Sequence, residues 1–370
     1  MKINEVKELT ILSLGAGVQS SAMALMASLN LLKYKPDYAI FADTGAEPKN
    51  VYTWLKWLEN QLDYKVLKVE KGNLRDDIVS SIDDLGRVSA VPFFTKNLNT
   101  EKQGKLRRSC TTDYKILPIN KKIRDLLGIK SGERVPQVTI RSKESNSVRY
   151  FIERIESNID EVNQNYPEIV DLILSEQLLI GKPIFLKEFS TNKKFDCTIS
   201  KYTLEQILKI LDFKRRSIND NYTLWSKYKV HINNLMGIST DEIIRCKDNY
   251  QPWIKNIYPL IENRIDRAGC IKWMENNNYP KPPRSACTFC PYHSNKEWLR
   301  VKSNPDEWRE VVELDYKIRG GISLKYKDKA KYESELYLHP SCKPIDEVDF
   351  EEDNKQADMF DEECEGMCGI

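Results

Sequence analysis

A chain of 370 residues with 41% hydrophobic and 30% charged residues has the length for two domains and the balance of a folded, water-exposed protein. Its 57 basic and 55 acidic side chains leave a formal charge of +2, which excludes the global basic field of a general nucleic-acid binder. No apolar run is long enough to span a bilayer, and MKINEVKELT lacks the apolar centre of a secretory signal, so no membrane partner and a cytoplasmic location are expected.

The first element is Leu9-Thr10-Ile11-Leu12, apolar and β-prone. A turn from Ser13 to Ser21 follows, then a helix-prone run from Ala22 to Leu32. Strand, glycine-rich turn with hydroxyls, and helix together form an arrangement that holds a phosphate, because small residues let the backbone approach and the N–H groups of the helix start point at the anion. Ser13, Gly15, Gly17, Gln19, Ser20 and Ser21 are the candidate nucleotide-binding residues. The plainer alternative is a tight βα turn whose glycines serve backbone angles alone. No lysine follows Gly17 as in a Walker loop, and Ser20 stands at the third glycine of a dinucleotide fingerprint.

Pro36–Ala42 reads as a second buried strand ending at Asp43-Thr44-Gly45. A carboxylate at the C-terminal edge of a parallel strand sits where open α/β sheets bind ligands. Asp43 is therefore placed to accept from a ribose hydroxyl or an adenine amine, unless Asp43 and Thr44 only cap the next helix. Asn50–Leu62 has helical periodicity with Val51, Trp54, Leu55 and Leu58 on one face. Lys65–Val69 is a third strand, Asp76–Asp84 a helix, and Arg87–Thr95 leads into a polar loop, Lys96–Gly104. The alternation predicts an α/β fold with a doubly wound parallel sheet.

Lys105–Arg124 gathers Arg107, Arg108, Cys110 and Lys115 before a basic helix. An arginine fork and a lysine point charge suit sulfate or phosphate, which makes Arg108 and Lys115 candidate catalytic residues. Residues 138–230 differ in texture and read as an inserted α+β module, with helices over Asp160–Leu179 and Thr203–Leu211 and strands over Pro183–Phe189 and Phe195–Ile199. Lys193-Lys194 and Lys214-Arg215-Arg216 read there as solvated surface. The division is thus 1–137 for the first part of the core, 138–230 for the module, 231–283 for the core resumed, and 284–370 for a cysteine-rich region with a mobile tail. Ile232–Ile238 is the resumed strand, Ser239 with Glu242 a capping box opening a helix, and Asp266–Asn276 a helix carrying Cys270.

Nine cysteines in a reducing compartment are expected to be buried, catalytic or metal-bound, and three histidines make any metal site lean on thiolates. Cys287-x-x-Cys290-Pro puts two sulfurs on one tight turn. Cys110 and Cys270 are candidate further ligands. Zinc on Cys270, Cys287, Cys290 and His293 competes with an iron–sulfur cluster. Ser294 with Glu297 is a second capping box, and Pro305–Ile318 an amphipathic helix. Cys342 is a spare ligand. The acidic tail carries Cys364 and Cys368, which suit sulfur carriage or attack.

Taken in order, these motifs resemble the phosphoadenosine phosphosulfate (PAPS) reductase and PP-loop ATP pyrophosphatase family, which is adenine nucleotide alpha hydrolase-like. On the family loop SGGxDS, Gly17 and Ser20 match, while Gly15, Ala16 and Gln19 replace the first serine, the first glycine and the aspartate. Asp43-Thr44-Gly45 fits the motif after the second strand. On the Cys-Cys-x-x-Arg-Lys segment, Cys110 and Lys115 match, Thr111 and Tyr114 replace cysteine and arginine, and Pro118 follows. Glu363-Cys364 is similar to the reductase tail Glu-Cys-Gly, with Glu365 in the place of glycine. The resemblance covers Leu9–Arg124 and Asn233 to the C-terminus.

The resemblance implies ATP, or PAPS or adenylyl sulfate (APS), with Mg2+. It also implies an iron–sulfur cluster in which Cys270 replaces the thiolate lost at Thr111. Three functions follow from it. The first is adenylylation of a substrate, nucleic acid included, for sulfur transfer, with Cys364 or Cys368 bringing persulfide from a donor such as a cysteine desulfurase. The second is reduction of PAPS or APS, with Cys364 attacking and Arg108 and Lys115 gripping sulfate. The third is a non-catalytic nucleotide-binding subunit of a nucleic-acid modification or defence complex.

Overall fold

The computed structural model describes residues 7–82, 87–89, 91–142, 214–219, 222–322 and 334–351. Its contacts divide the chain into two compact units, residues 1–8 with 129–231 and residues 9–128 with 232–370. The elements expected between Asp160 and Leu211 lie outside the described residues, as do Cys197, Cys364 and Cys368.

Five strands of the larger unit form one mostly parallel sheet: β1 (Lys7–Leu14), β2 (Tyr38–Asp43), β3 (Lys65–Glu70), β9 (Val230–Met236) and β10 (Ile254–Ile257), in the order β10-β9-β1-β2-β3. β1 with β2, β2 with β3, and β9 with β10 are parallel. The chain runs outward from β1 to β3, then returns to the other side of β1 for β9 and β10. Strand order therefore reverses at β1, and such a switch point opens a crevice beyond the strand ends. Ile11, Leu12, Ala39, Ile40 and Phe41 are all buried, which explains why these strands read as continuous apolar runs.

Helix α1 (Val18–Ser28) starts four residues before the expected Ala22, closed by Ser21 N–H donating to the Gly17 carbonyl at 3.0 Å. Ser20 and Ser21 therefore lie in its first turn. α2 (Lys49–Glu59) buries Val51, Trp54, Leu55 and Leu58, the face its periodicity marked. α3 (Leu74–Ile82) follows. A π-helical turn (Thr112–Ile116) runs into α4 (Leu117–Leu127), which stops at Gly128 in the left-handed conformation, φ +76°. Next come α5 (Pro259–Glu262), α6 (Arg267–Asn276), α7 (Asn295–Lys302) and α8 (Pro305–Ile318). One core joins α1, α2 and α6 to Leu12, Leu14, Phe41 and Leu235. α4 lies against β2 and β3. A second core joins α3, α7 and α8 through Ile78, Trp298, Val311 and Leu314.

Two local expectations are corrected. The stretch Lys96–Gly104 is a hairpin, not a loop. Its strands are β4 (Phe94–Asn97) and β5 (Gln103–Lys105), and β11 (Ser334–Tyr337) adds antiparallel to β4. Nor does Ser239 form a capping box. The turn Thr240–Arg245 is a 3-10 helix whose cap makes no side-chain bond, because Gln19 donates to both Ser239 and Glu242. The second box is half formed: Ser294 accepts from Glu297 N–H at 3.3 Å, while the Glu297 carboxylate pairs with Arg300.

In the other unit, β6 (Gln137–Ser142), β7 (Lys214–Asn219) and β8 (Tyr222–Tyr228) form an antiparallel sheet in the order β6-β8-β7. Among the described residues no helix is long and apolar enough to cross a membrane.

Candidate functional site

A pocket lies at the C-terminal edge of the large sheet, where β1, β9 and the start of α1 meet. Ser13, Gly15, Gly17, Gln19 and Ser20 line it, with Gly237, Arg267, Arg284 and Ser285. The Ser13 hydroxyl donates to Asn234 Oδ1 at 2.8 Å, and Asn234 donates to Asn256 at 3.0 Å, so side-chain bonds link the ends of β1, β9 and β10. Ala16 carries left-handed backbone at φ +58°, a conformation costly to a residue with a side chain and often kept where a loop faces a ligand. Gly17 caps α1 with no side-chain bond, so no side chain of the cap competes with an anion for the N–H groups that open the helix.

Several of the expected ligands already have internal partners, Ser13 among them. Ser21 is fully buried and accepts from Trp54 Nε1 at 3.0 Å. The Gln19 amide donates to Ser239 at 3.4 Å and Glu242 at 3.3 Å and accepts from Arg267 at 3.4 Å. Glu242 also pairs with Arg245. Burial raises its carboxyl above the usual range against that pairing.

Cys110, Cys287 and Cys290 line a second pocket with Thr44, Arg108, Thr111 and Lys115, and Ser285 belongs to both pockets. The loop after β2 grips the Cys287–Cys290 turn. Thr44 Oγ1 and Cys287 Sγ share a hydrogen bond at 3.3 Å, and Thr288 N–H donates to the Ala46 carbonyl at 2.9 Å. The Asp43 Oδ1 accepts from Gly45 N–H at 2.8 Å and the Tyr52 hydroxyl at 2.7 Å. Burial first, with Glu47, pushes the Cys287 thiol far up, against Lys115 and the Thr44 hydroxyl. Thr44→Val is expected to cost about 1–2 kcal/mol and to slow alkylation of Cys287. Mass spectrometry of timed iodoacetamide reactions checks this, and an unchanged rate and stability would contradict it.

Between the two pockets, Glu47 accepts from Lys115 Nζ and from Ser285 Oγ, each at 3.3 Å. The π turn sets Lys115 there, an irregularity common at functional sites. Tyr114 is core, with its hydroxyl on Asp77. Glu47, Ser285, Gly237, Arg267 and Arg284 escaped the sequence reading. Glu47 stands two residues after Gly45 in the same loop, and Gly237 interrupts an apolar strand end, so those two left a signal.

The four-cysteine set is not brought together. Cys270 is fully buried in the α1–α6 core, its thiol pushed up to about 12 by burial. Among the described residues no three His, Cys, Asp or Glu side chains gather as a metal site, so the donor set does not fit a cluster or a four-coordinate zinc. His293, the alternative ligand, is buried edge-on to Trp298 at 4.8 Å. Burial, then Arg284 and Arg300, lower its pKa to about 3.

The unfolded chain takes up a proton near pH 6.5 that folded His293 refuses until about pH 3, so its neutral form is a stabilising feature lost as pH falls through that window. His293→Phe removes the effect. In the metal-free protein, the loss of unfolding free energy between pH 7 and pH 5 is expected to shrink by roughly 2 kcal/mol relative to wild type. Urea titrations at the two pH values measure it, and identical losses would refute it.

Compared with known proteins, the chain matches no family model, no curated protein and no solved structure.

Proposed function

We propose that the protein is an adenine nucleotide alpha hydrolase-like enzyme. In this reading it binds ATP with the phosphates at the start of α1 and the adenosine toward Asp43, and adenylylates an acceptor for sulfur transfer. An acceptor oxygen attacks the α-phosphorus and pyrophosphate leaves. A sulfur nucleophile then attacks the activated carbon, and AMP leaves with that oxygen. The observation that carries the reading is Ser285. It is the residue common to a phosphate-type pocket with two arginines and a pocket holding Cys110, Cys287 and Cys290 with Arg108 and Lys115. The backbone N–H groups of α1, with Arg267 and Arg284, supply the charge that pyrophosphate needs as it departs. Arg108 and Lys115 serve the thiol side. Persulfide would arrive on Cys364 or Cys368 from a donor such as a cysteine desulfurase. No step runs through a metal bound by the described thiols, which do not complete a site.

The test is release of AMP and pyrophosphate from ATP and Mg2+ by the full-length protein offered a nucleic-acid acceptor, beside equilibrium binding of a non-hydrolysable ATP analogue. Arg284→Ala is expected to weaken the analogue about tenfold, the loss of one charge-assisted phosphate bond. Absence of analogue binding sinks the reading. Sulfite release from PAPS without ATP transfers the site to reductase chemistry. One observation favours a second reading: Gln19 stands at the family's aspartate and is held by Ser239, Glu242 and Arg267. A non-catalytic nucleotide-binding subunit follows if ATP binds without turnover and Cys364→Ser changes nothing.

A further inference from the structure

Beside the phosphate pocket opens a larger cleft of about 560 Å³. The two share Val18, Arg267 and Arg284, but Lys281, Lys296 and Arg300 line the cleft alone. Five cations face it, Arg267, Lys281, Arg284, Lys296 and Arg300, against three carboxylates, Asp241, Glu242 and Glu297. Each carboxylate already has an internal partner. Asp241 accepts from Arg267 N–H at 3.1 Å, Glu242 pairs with Arg245, and Glu297 pairs with Arg300 at 2.5 Å, so the charge of Arg300, one of the five, is already matched. Lys281 and Lys296 are exposed, whereas the three arginines are partly buried.

Those arginines sit close enough to act on common neighbours. After burial, Arg284 opposes the charge on Arg267 against the stronger support of Glu242, and Arg284 with Arg300 opposes a charge on His293. Like charges gathered on partly desolvated walls repel, and an anion lying among them reverses the sign. The N-terminal end of α1, with no side-chain cap and no acid in its first turn, borders the same space and adds to its positive potential, whereas Asp266 caps α6 and Ser294 caps α7. The volume suits one nucleotide-sized ligand.

We propose that this cleft binds a second phosphate ester, separate from the nucleotide in the phosphate pocket: a nucleotide, free or as one unit of a nucleic-acid strand, held through Lys281 and Lys296. Its role as the acceptor rests on the adenylylation reading, whereas its binding does not.

The experiment uses the full-length protein, fluorescence anisotropy with a labelled oligothymidylate, competition by thymidine monophosphate, and a separate titration with the ATP analogue. Lys281→Gln/Lys296→Gln changes two exposed side chains, and its unfolding midpoint confirms the fold. The expected results are an affinity loss of about tenfold or more, a salt-dependence slope reduced by about 1.4 (two contacts at about 0.7 each), and unchanged affinity for the ATP analogue. Full competition by the monophosphate assigns the cleft to a free nucleotide, and resistance assigns it to a strand; either supports the proposal. It is overturned if neither probe binds the wild type at low salt, if the variant binds with unchanged affinity and slope, or if the ATP analogue weakens in parallel. Oligothymidylate binding that persists while the ATP analogue fails to bind removes the adenylylation reading and leaves the cleft.

Discussion

Gly237→Ala is expected to weaken nucleotide binding by about tenfold or more and to cost about 2 kcal/mol of stability. A Cβ at Gly237 would stand 2.8 Å from Ser20 Cα and 2.9 Å from Ser20 N, inside the contact distance of any real side chain. Both atoms are backbone of the first turn of α1, so no side chain can swing aside. Either the loop after β9 or the start of α1 must shift, and both line the phosphate pocket. Because that helix start would hold the phosphates through N–H directions, a shift of a few tenths of an ångström misaims several donors at once. Gly320→Ala is the control, since nothing lies within 4 Å of a Cβ there. Isothermal titration with the ATP analogue and urea unfolding measure the pair. Two variants indistinguishable in both would show that the approach of Gly237 to Ser20 is immaterial.

Glu47→Gln is expected to cost about 3 kcal/mol or more. The side chains of Glu47 and Lys115 are 1% and 12% exposed, so removing the carboxylate leaves a largely buried ammonium without its ion-pair partner. Lys115→Met alone strands the carboxylate and should cost a similar amount. The double variant replaces two charges by neutral groups of comparable size, and its cost should fall well below the sum, by at least about 2 kcal/mol. Chemical denaturation followed by tryptophan fluorescence gives the cycle. Additive losses would mean that the pair is not coupled. The same variants report on function, since Glu47 also holds Ser285 between the two pockets.

Sequence spoke most clearly where a local pattern decides the outcome. The apolar runs of β1 and β2, the periodicity of α2 and the bounds of α6 and α8 needed no distant partner. It spoke least where a partner far along the chain decides. Lys96–Gly104 is polar enough for a loop and becomes a hairpin because β11 pairs with β4. Ser239 and Glu242 have the spacing of a capping box, yet Gln19, 220 residues earlier for Ser239, takes both side chains. The same holds for the site. Cys287-x-x-Cys290 announces its tight turn, and Gly15, Gly17 and Ser20 their loop. Nothing local says that Thr44 meets Cys287, that Glu47 joins Lys115 to Ser285, or that Cys270 belongs to the core rather than with the other thiols.

The hydrogen bond from Ser13 to Asn234 crosses 221 residues of chain. A ribosome adding about 5–20 residues per second needs roughly 10–45 s to cover that distance. During this interval β1 has left the exit tunnel without β9, and its apolar backbone edge is open to any other strand. Nascent chains stalled before residue 230 should therefore recruit holdase chaperones, whereas chains long enough to bring β9 and β10 out of the tunnel should release them. Slower elongation through residues 129–229 is then expected to lengthen the exposure of β1.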